Sequence, residues 1–354
     1  MQINRISAVN YRNLSNIEIF PDSRMNVICG ENAQGKTNII EAIWMFTGAK
    51  SFRATSDSSF IKFGTNKASC EIDFISKGTE NNAKIEYGEK KTAFLNNKTL
   101  SNPSKLAGNF NAIVFSPSDL QIITDGPEKR RRFVDLGIGQ IFPQYIDILR
   151  DYTRAVKQRN EIIKEYKYDS SIEILLDSFE EKIVESGTKI IMYRERYISK
   201  LQNYMPEIFE GLTNGKEEIM SVNVANVSAT MFKELLKRAR KEDSFTGTTS
   251  IGPHRDDFEF RINGVNSRSY GSQGQKRSVA LCLKLAQSEV IKEKTGEYPV
   301  CLLDDVMSEL DAGRQNYILN HIKDWQSFIT CCDPATVERA KVGKIFNIEN
   351  GRCL

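Results

Sequence analysis

Nothing in these 354 residues approaches the run of about 20 apolar positions that a membrane-spanning helix needs. The opening MQINRISAVNYRNL has no basic stretch followed by an apolar one, so no export signal is expected and the expected compartment is the cytoplasm. Seven cysteines show no CxxC spacing and no framework of a small secreted domain. They read as reduced, packed thiols, the adjacent Cys331 and Cys332 included. Charge of one sign is scarce too. The 49 Lys and Arg against 46 Asp and Glu leave +3, too little to establish a nucleic-acid partner. There is no internal repeat, no low-complexity tract and no sustained heptad. What remains is an ordinary globular composition, 40% hydrophobic and 27% charged, long enough for one large or two moderate domains.

Hydrophobic periodicity divides the chain. Residues 3–9, 16–20, 70–75, 84–87, 92–95 and 112–115 have the spacing of strands, and 25–29 is a short apolar run that ends at Gly30. Residues 36–46 have helical spacing, with Ile39, Ile40 and Ile43 on one face. From 118 to 245 the pattern turns helical over 133–149, 152–166 and 172–204, with Pro206 expected to end the last helix. Strands and helices alternate again from 246: a hairpin at Asn263 and Gly264, a helix from Gln273, a strand at 299–303, a helix from Asp311 and a strand at 327–331. The expected fold is α/β: a discontinuous mixed-sheet head (1–117 and 246–354) with a mainly helical insertion (118–245).

The strongest motif is Gly30, Glu31, Asn32, Ala33, Gln34, Gly35, Lys36 and Thr37, a full match to GxxxxGK[ST]. It lies between a buried strand and an apolar-faced helix, the context that makes the pattern specific. Glycine at both ends lets backbone N–H groups approach phosphate oxygens, and the helix that begins at Lys36 turns its positive dipole end the same way. Lys36 supplies a cation for the β- and γ-phosphates, and Thr37 offers a hard oxygen for Mg²⁺. The expected ligands are thus ATP, or GTP, with Mg²⁺. A second buried run, Val300, Cys301, Leu302, Leu303, ends in Asp304 and Asp305. An acidic turn after a strand is common by itself. Coupled to the loop, Asp304 is expected to hold Mg²⁺ and Asp305 to orient and deprotonate the attacking water.

Ser269, Tyr270, Gly271, Ser272, Gln273, Gly274 and Gln275 lead into another helix. Ser272 suits an N-cap, and glycines at 271 and 274 allow close backbone approach. An ordinary capped helix explains the segment equally well. If Ser272, Gly274 and Gln275 bind phosphate, one nucleotide does not reach both surfaces within one chain, and a homodimer with composite sites is the economical arrangement.

Taken together these motifs resemble the ABC-type ATPases. GSQGQKR is similar to their signature segment, and LLDDVMSELD to Walker B followed by the D-loop. Within that group the chain is identified as a member of the RecF family by NYRNL, GENAQGKTNIIEAI, the stretch Lys50, Ser51, Phe52, Arg53, then FSPSDLQIITDGPEKRRRFVD, IGPHRDD and YGSQGQKRSVALCLKLA, in that order. The resemblance implies an SMC-like ATPase head without the long coiled coil. It implies a slow, DNA-stimulated ATPase in which ATP closes a homodimer on duplex DNA or single/double-strand junctions and hydrolysis opens it. It further implies recombinational repair and replication-fork maintenance, with RecR and RecO as partners in loading RecA, and no membrane. Asp305 stands where ABC ATPases usually carry glutamate. No switch histidine follows the last strand, where Cys331, Cys332 and Asp333 stand, and FSPSDL lacks the glutamine of transporters, with Gln121 only nearby. His254 reads as structural and His321 as surface. Arg12 is either an exposed turn residue or a contact to nucleotide phosphate. For DNA the candidates are Lys50 with Arg53, the run Lys129, Arg130, Arg131, Arg132, and the group Lys233, Lys237, Arg238, Arg240, Lys241, each also readable as solvated surface. The rivals are a transporter-energising ATPase subunit and a plain nucleotide-metabolising enzyme.

Overall fold

A computed structural model describes residues 1–53, 56–166, 170–332 and 342–354, so Asp333 lies outside the described residues. The chain divides into two compact units, Met1–Leu120 with Glu207–Lys216 and Ala280–Leu354, and Gln121–Pro206 with Glu217–Val279. Residues 246–279, expected with the head, therefore cluster with the helical segment. The reason is strand pairing: Asp257–Ile262 zips antiparallel to Ile219–Val224 over six residue pairs.

The first unit contains two six-stranded sheets. One is antiparallel and orders Asn16–Ile19, Gln2–Val9, Ala68–Ser76, Thr79–Tyr87, Thr92–Leu95 and Lys98–Thr99. Alternating burial along Ala68–Ser76 marks a sheet with one face in the core. The other orders Arg352–Cys353, Val342–Glu349, Met25–Cys29, Ser327–Cys331, Val300–Leu303 and Ala112–Phe115. Apart from the terminal hairpin its pairs are parallel. Met25–Cys29, Ser327–Cys331, Val300–Leu303 and Ala112–Phe115 are buried at every position. Both faces are covered, which is why these strands read as continuous apolar runs.

In the second unit Pro127–Ile141, Gln144–Tyr166 and the first part of Glu173–Thr213 are the long helices. Pro206 does not end the last of these: the helix runs on to Thr213. An interior proline costs roughly 3 kcal/mol. The turns beyond it carry Ile208, Phe209 and Leu212, all buried, and that burial outweighs the lost hydrogen bond.

Charged groups fill much of this unit's interior. Arg159, fully buried, reaches Asp243 at 2.6 Å and Glu180 at 3.0 Å. Arg240 also binds Glu180, at 2.7 Å. Arg194 binds Asp135 at 2.9 Å, Asp256 at 3.1 Å and the Pro253 carbonyl at 2.5 Å. The IGPHRDD segment is the hub of this network. Arg130 forks onto Asp257 at 2.6 and 3.0 Å, and Arg131 donates to the Asp256 carbonyl at 2.6 Å. Two of the three basic groups weighed as DNA contacts therefore lose a member to the interior, Arg130 from one and Arg240 from the other, while Arg131 is half-buried. The remaining charges are partly engaged: Lys129 donates to Gln121 at 3.0 Å and Lys237 lies 3.7 Å from Asp177.

His254 is structural, as expected. Its Nδ1 meets the Tyr152 hydroxyl at 2.6 Å and its Nε2 meets the Thr249 carbonyl at 2.9 Å. Burial, with Arg255 and Arg131 nearby, lowers its pKa from 6.5 to about 4, against the opposing hydrogen bond to Thr249. His321, by contrast, is not simple surface. It is half-buried between Tyr317 and Trp325, 3.2 Å from Glu289.

The His254 shift has a pH signature. The unfolded imidazole takes a proton as pH falls through about 6.5 and the folded one only near 4, so the unfolded state binds more protons in between. The stability contribution is complete above pH 6.5 and lost as pH falls toward 4, by up to about 3 kcal/mol. Denaturant unfolding across that window should show a shallower decline for His254→Gln than for wild type. Parallel profiles would contradict a buried neutral imidazole.

Candidate functional site

Met25–Cys29 delivers the chain to Gly30 at the carboxyl end of the parallel sheet, where open α/β sheets place their ligands. Gly30 has φ +152 and Gly35 φ +115, conformations that L side chains rarely adopt. Space is lacking as well. A Cβ on Gly30 would lie 2.3 Å from the Ile348 carbonyl oxygen, and one on Gly35 would lie 2.7 Å from Asn13 Oδ1. Gly35 is also the N-cap of Lys36–Met45, and no side chain caps that end. Lys36, nearly buried, folds back so that Nζ donates to the carbonyls of Gly30 at 2.6 Å and Glu31 at 2.9 Å, with Cys332 Sγ at 3.5 Å.

Between the strand that ends at Cys29 and the one that ends at Leu303 lies Ser327–Cys331. That order brings three chain segments together. Thr37 Oγ1 donates to Asp304 Oδ1 at 2.8 Å. Thr330, on the middle strand, accepts the Asp305 N–H at 2.9 Å, and its hydroxyl lies 3.2 Å from Asp304 Oδ1 and 3.3 Å from Asp305 Oδ1. Burial raises the Asp304 pKa and the neighbouring Asp305 adds to it, while the Thr37 and Thr330 hydrogen bonds and Arg53 oppose the rise. A cation set against Asp304 would relieve that cost. Asp305 sits in the left-handed region at φ +54, held there by its bond to Thr330. Among the described residues no group of three or more His, Cys, Asp or Glu could hold a metal. Thr37 and Asp304 alone suit an ion that arrives with a phosphate ligand, and hard oxygens suit Mg²⁺.

The loop is braced by residues that motif reading passes over. Asn13 donates to the Ala33 carbonyl at 2.9 Å and accepts from Asn38 at 2.7 Å. Asn350 N–H donates to Gln34 Oε1 at 2.5 Å, and Gly351 N–H to the Gln34 carbonyl at 3.2 Å. Gly351 has φ +71, and a Cβ there would lie 2.2 Å from the Asn13 carbonyl oxygen. The terminal hairpin thus fastens onto both the loop and the turn that braces it. Arg53 donates to Asn38 Oδ1 at 3.0 Å, beside the first helical turn. Arg12 is not an exposed turn arginine. Its Nε and Nη2 fork onto fully buried Glu41, which also accepts from Ser51 Oγ, and its guanidinium lies 5.1 Å from the Phe60 ring centre.

Ser272, Gly274 and Gln275 lie in the second unit, at the start of Gln273–Thr295. Ser272 Oγ accepts the Gln275 N–H at 3.2 Å, and Gln275 Oε1 accepts the Ser272 N–H at 2.7 Å, a reciprocal capping box. Gln275 Nε2 further donates to Glu217 at 2.6 Å, and Ser272 stays exposed. Gln121, near the position where transporters carry a glutamine, accepts from Lys129 Nζ at 3.0 Å. Thr330 carries no motif signal in the sequence because it sits in a strand that reads only as packing. Asn13 lies inside NYRNL, a signal that was available.

Residues 2–352 match the family model described as RecF/RecN/SMC N terminal domain. The chain is 38% identical to the DNA replication and repair protein RecF of Clostridium perfringens, over 99% of each chain. To that of Caldanaerobacter subterraneus it is 38% identical over 98% of each. A solved structure of the recombination mediator protein RecF with ATP superimposes with a TM-score of 0.92 at 35% identity, over 100% of this chain and 97% of the other. An Smc head from Pyrococcus furiosus shares the fold at a TM-score of 0.58 and 17% identity.

Gly351→Ala should force strain of about 1–3 kcal/mol into the hairpin clasp and lower ATP affinity roughly tenfold. Gly264→Ala is the control, since Gly264 also has positive φ but meets nothing within 4 Å. Titration with a fluorescent ATP analogue compares the two. Equal affinities would show that the clasp does not set the loop.

Proposed function

We propose, from the premise that this chain belongs to the RecF family within the RecF/RecN/SMC N-terminal domain group, that it is an ATP-driven switch on DNA that serves replication and recombinational repair. The observation that carries the reading is the convergence of Asp304, Asp305 and Thr330 with Thr37, the residue after Lys36 in the phosphate loop. Carbonyls of Gly30 and Glu31 hold Lys36 in place, and β- and γ-phosphate oxygens compete for the same ammonium. Backbone of residues 30–37 cradles the phosphates. Thr37 and Asp304 would hold Mg²⁺, which would supply positive charge beside the phosphate oxygens. Asp305 orients the attacking water and accepts its proton, while Thr330 fixes that carboxylate from the neighbouring strand. Aspartate reaches one methylene less far than glutamate, which fits slow turnover; stimulation by DNA is proposed from the family likeness.

Ser272, Gly274 and Gln275 supply the second half of a composite site, presented to the nucleotide of another copy of the chain. Ser272 keeps an exposed hydroxyl on a preformed helix start, which supports this role. ATP thereby couples to homodimerisation, and the dimer closes on duplex DNA or junctions. RecR, with RecO and RecA downstream, are the partners proposed, and the cytoplasm is the compartment. Among the described residues no helix is long and apolar enough to cross a membrane. Likeness to replication and repair proteins and SMC heads favours this reading over a transporter-energising subunit. Arg12 serves nucleotide binding by stiffening the loop helix through Glu41. Lys50, Arg53, Lys129, Arg132, Lys233, Lys237, Arg238 and Lys241 remain the cations offered to DNA.

Asp305→Asn should retain ATP binding, slow hydrolysis at least about 100-fold and yield a stable dimer with ATP by light scattering. Ser272→Arg, introduced into that background, should return it to monomer with nucleotide still bound. A monomeric Asp305→Asn protein at saturating ATP would refute the clamp. In a separate experiment, DNA affinity should fall steeply with added salt, because phosphate contacts release counterions. A flat salt response would remove DNA phosphates as the ligand.

A further inference from the structure

The strand Ser327–Cys331 ends against the phosphate loop in two adjacent thiols with different surroundings. Cys331 pairs in register with Cys29 on the neighbouring parallel strand, and the two sulfurs lie 3.3 Å apart in the buried sheet. Cys332 is exposed. Its Sγ lies 3.5 Å from Lys36 Nζ and donates to Asn32 Oδ1 at 3.2 Å. Three thiols thus crowd the loop that binds phosphate, and solvent reaches one of them. Nucleotide chemistry explains none of them. Sulfur is a weak hydrogen-bond partner and a poor ligand for Mg²⁺. A group attached to Cys332 Sγ would stand against the Lys36 ammonium and Asn32, inside the space that the triphosphate needs.

We propose that Cys332 is a modification site at which a low-molecular-weight disulfide, such as oxidised glutathione, closes the nucleotide site. The inference rests on the ATP-binding reading above. The step is thiol–disulfide exchange. Cys332 gives its proton to solvent, and its sulfur attacks one sulfur of the reagent. The Sγ–S bond forms as the reagent's own S–S bond breaks. The departing thiolate takes up a proton, and one disulfide is exchanged for another with no further oxidant. Cys331 does not compete as the entry point, because it is buried and its pKa is pushed up to about 12 by burial and by Cys29. A reducing thiol reverses the exchange and reopens the site, so nucleotide loading follows the thiol balance of the surroundings.

The test uses the full-length protein treated with oxidised glutathione, with adducts read by intact mass and peptide mapping and ATP affinity read by titration. The expected result is one adduct, on Cys332, and a loss of ATP affinity of at least about tenfold that dithiothreitol restores. Saturating ATP should slow adduct formation. Cys332→Ser, compared with its own untreated affinity, should not respond to treatment. An adduct on Cys332 with unchanged ATP affinity would overturn the proposal. So would a treatment effect that persists in Cys332→Ser, which would place the sensitive thiol at one of the other six cysteines. Untreated wild-type protein that binds no ATP would overturn the nucleotide reading instead, and the mass measurement would still report whether Cys332 reacts.

Discussion

The phosphate loop has no room for a β-carbon at either end, and that constraint organises the first unit. Gly30 is pressed by the Ile348 carbonyl and Gly35 by Asn13, so two segments far apart in the chain define the loop from outside. Its path is therefore a tertiary property rather than a local one. Gln34 is gripped through Asn350 and Gly351, Ala33 through Asn13, and Asn38 through Asn13 and Arg53. A loop held from both sides loses little further freedom when phosphate oxygens arrive, which is the physical meaning of preorganisation.

Two adjacent carboxylates at this site have unequal surroundings. Asp304 is buried, faces Thr37, and carries the cost of a desolvated charge. Asp305 lies one residue beyond the strand in a left-handed conformation, half-exposed, with Thr330 holding its backbone. The same threonine hydroxyl lies within 3.3 Å of both side chains, so the middle strand sets their relative position. Strand order explains why one residue can do this, since Ser327–Cys331 lies directly between the loop strand and the acidic strand.

The second unit solves a different problem. Its interior is built on Arg159, Arg194 and Arg240, each with two or more carboxylates, and on the IGPHRDD segment. Removing one partner from a buried pair costs about 3–5 kcal/mol, far more than such a pair adds over an apolar replacement. These ions therefore specify how the helices and the small sheet assemble rather than add simple stability. Two arginines of the basic groups, Arg130 and Arg240, are consumed in this way, because carboxylates distant in sequence meet them only after folding.

Some of this was decided by the sequence alone. The four fully buried parallel strands, the hairpin at Asn263 and Gly264, the phosphate loop and the paired aspartates follow from rules that act over a few residues: burial on both faces, φ preference, and the geometry a phosphate demands; the parallel strand Val342–Glu349 does not. The continuation of a helix through Pro206, the membership of residues 246–279, the pairing of Arg12 with Glu41, the bridging role of Thr330 and the clasp at Gly351 belong to the tertiary structure. Each rests on a partner between 25 and more than 300 positions away, or on burial outweighing a local penalty. A sequence window contains neither partner nor burial. The apolar runs thus announced where the sheet would be, and only folding determined which polar atoms it would bring face to face.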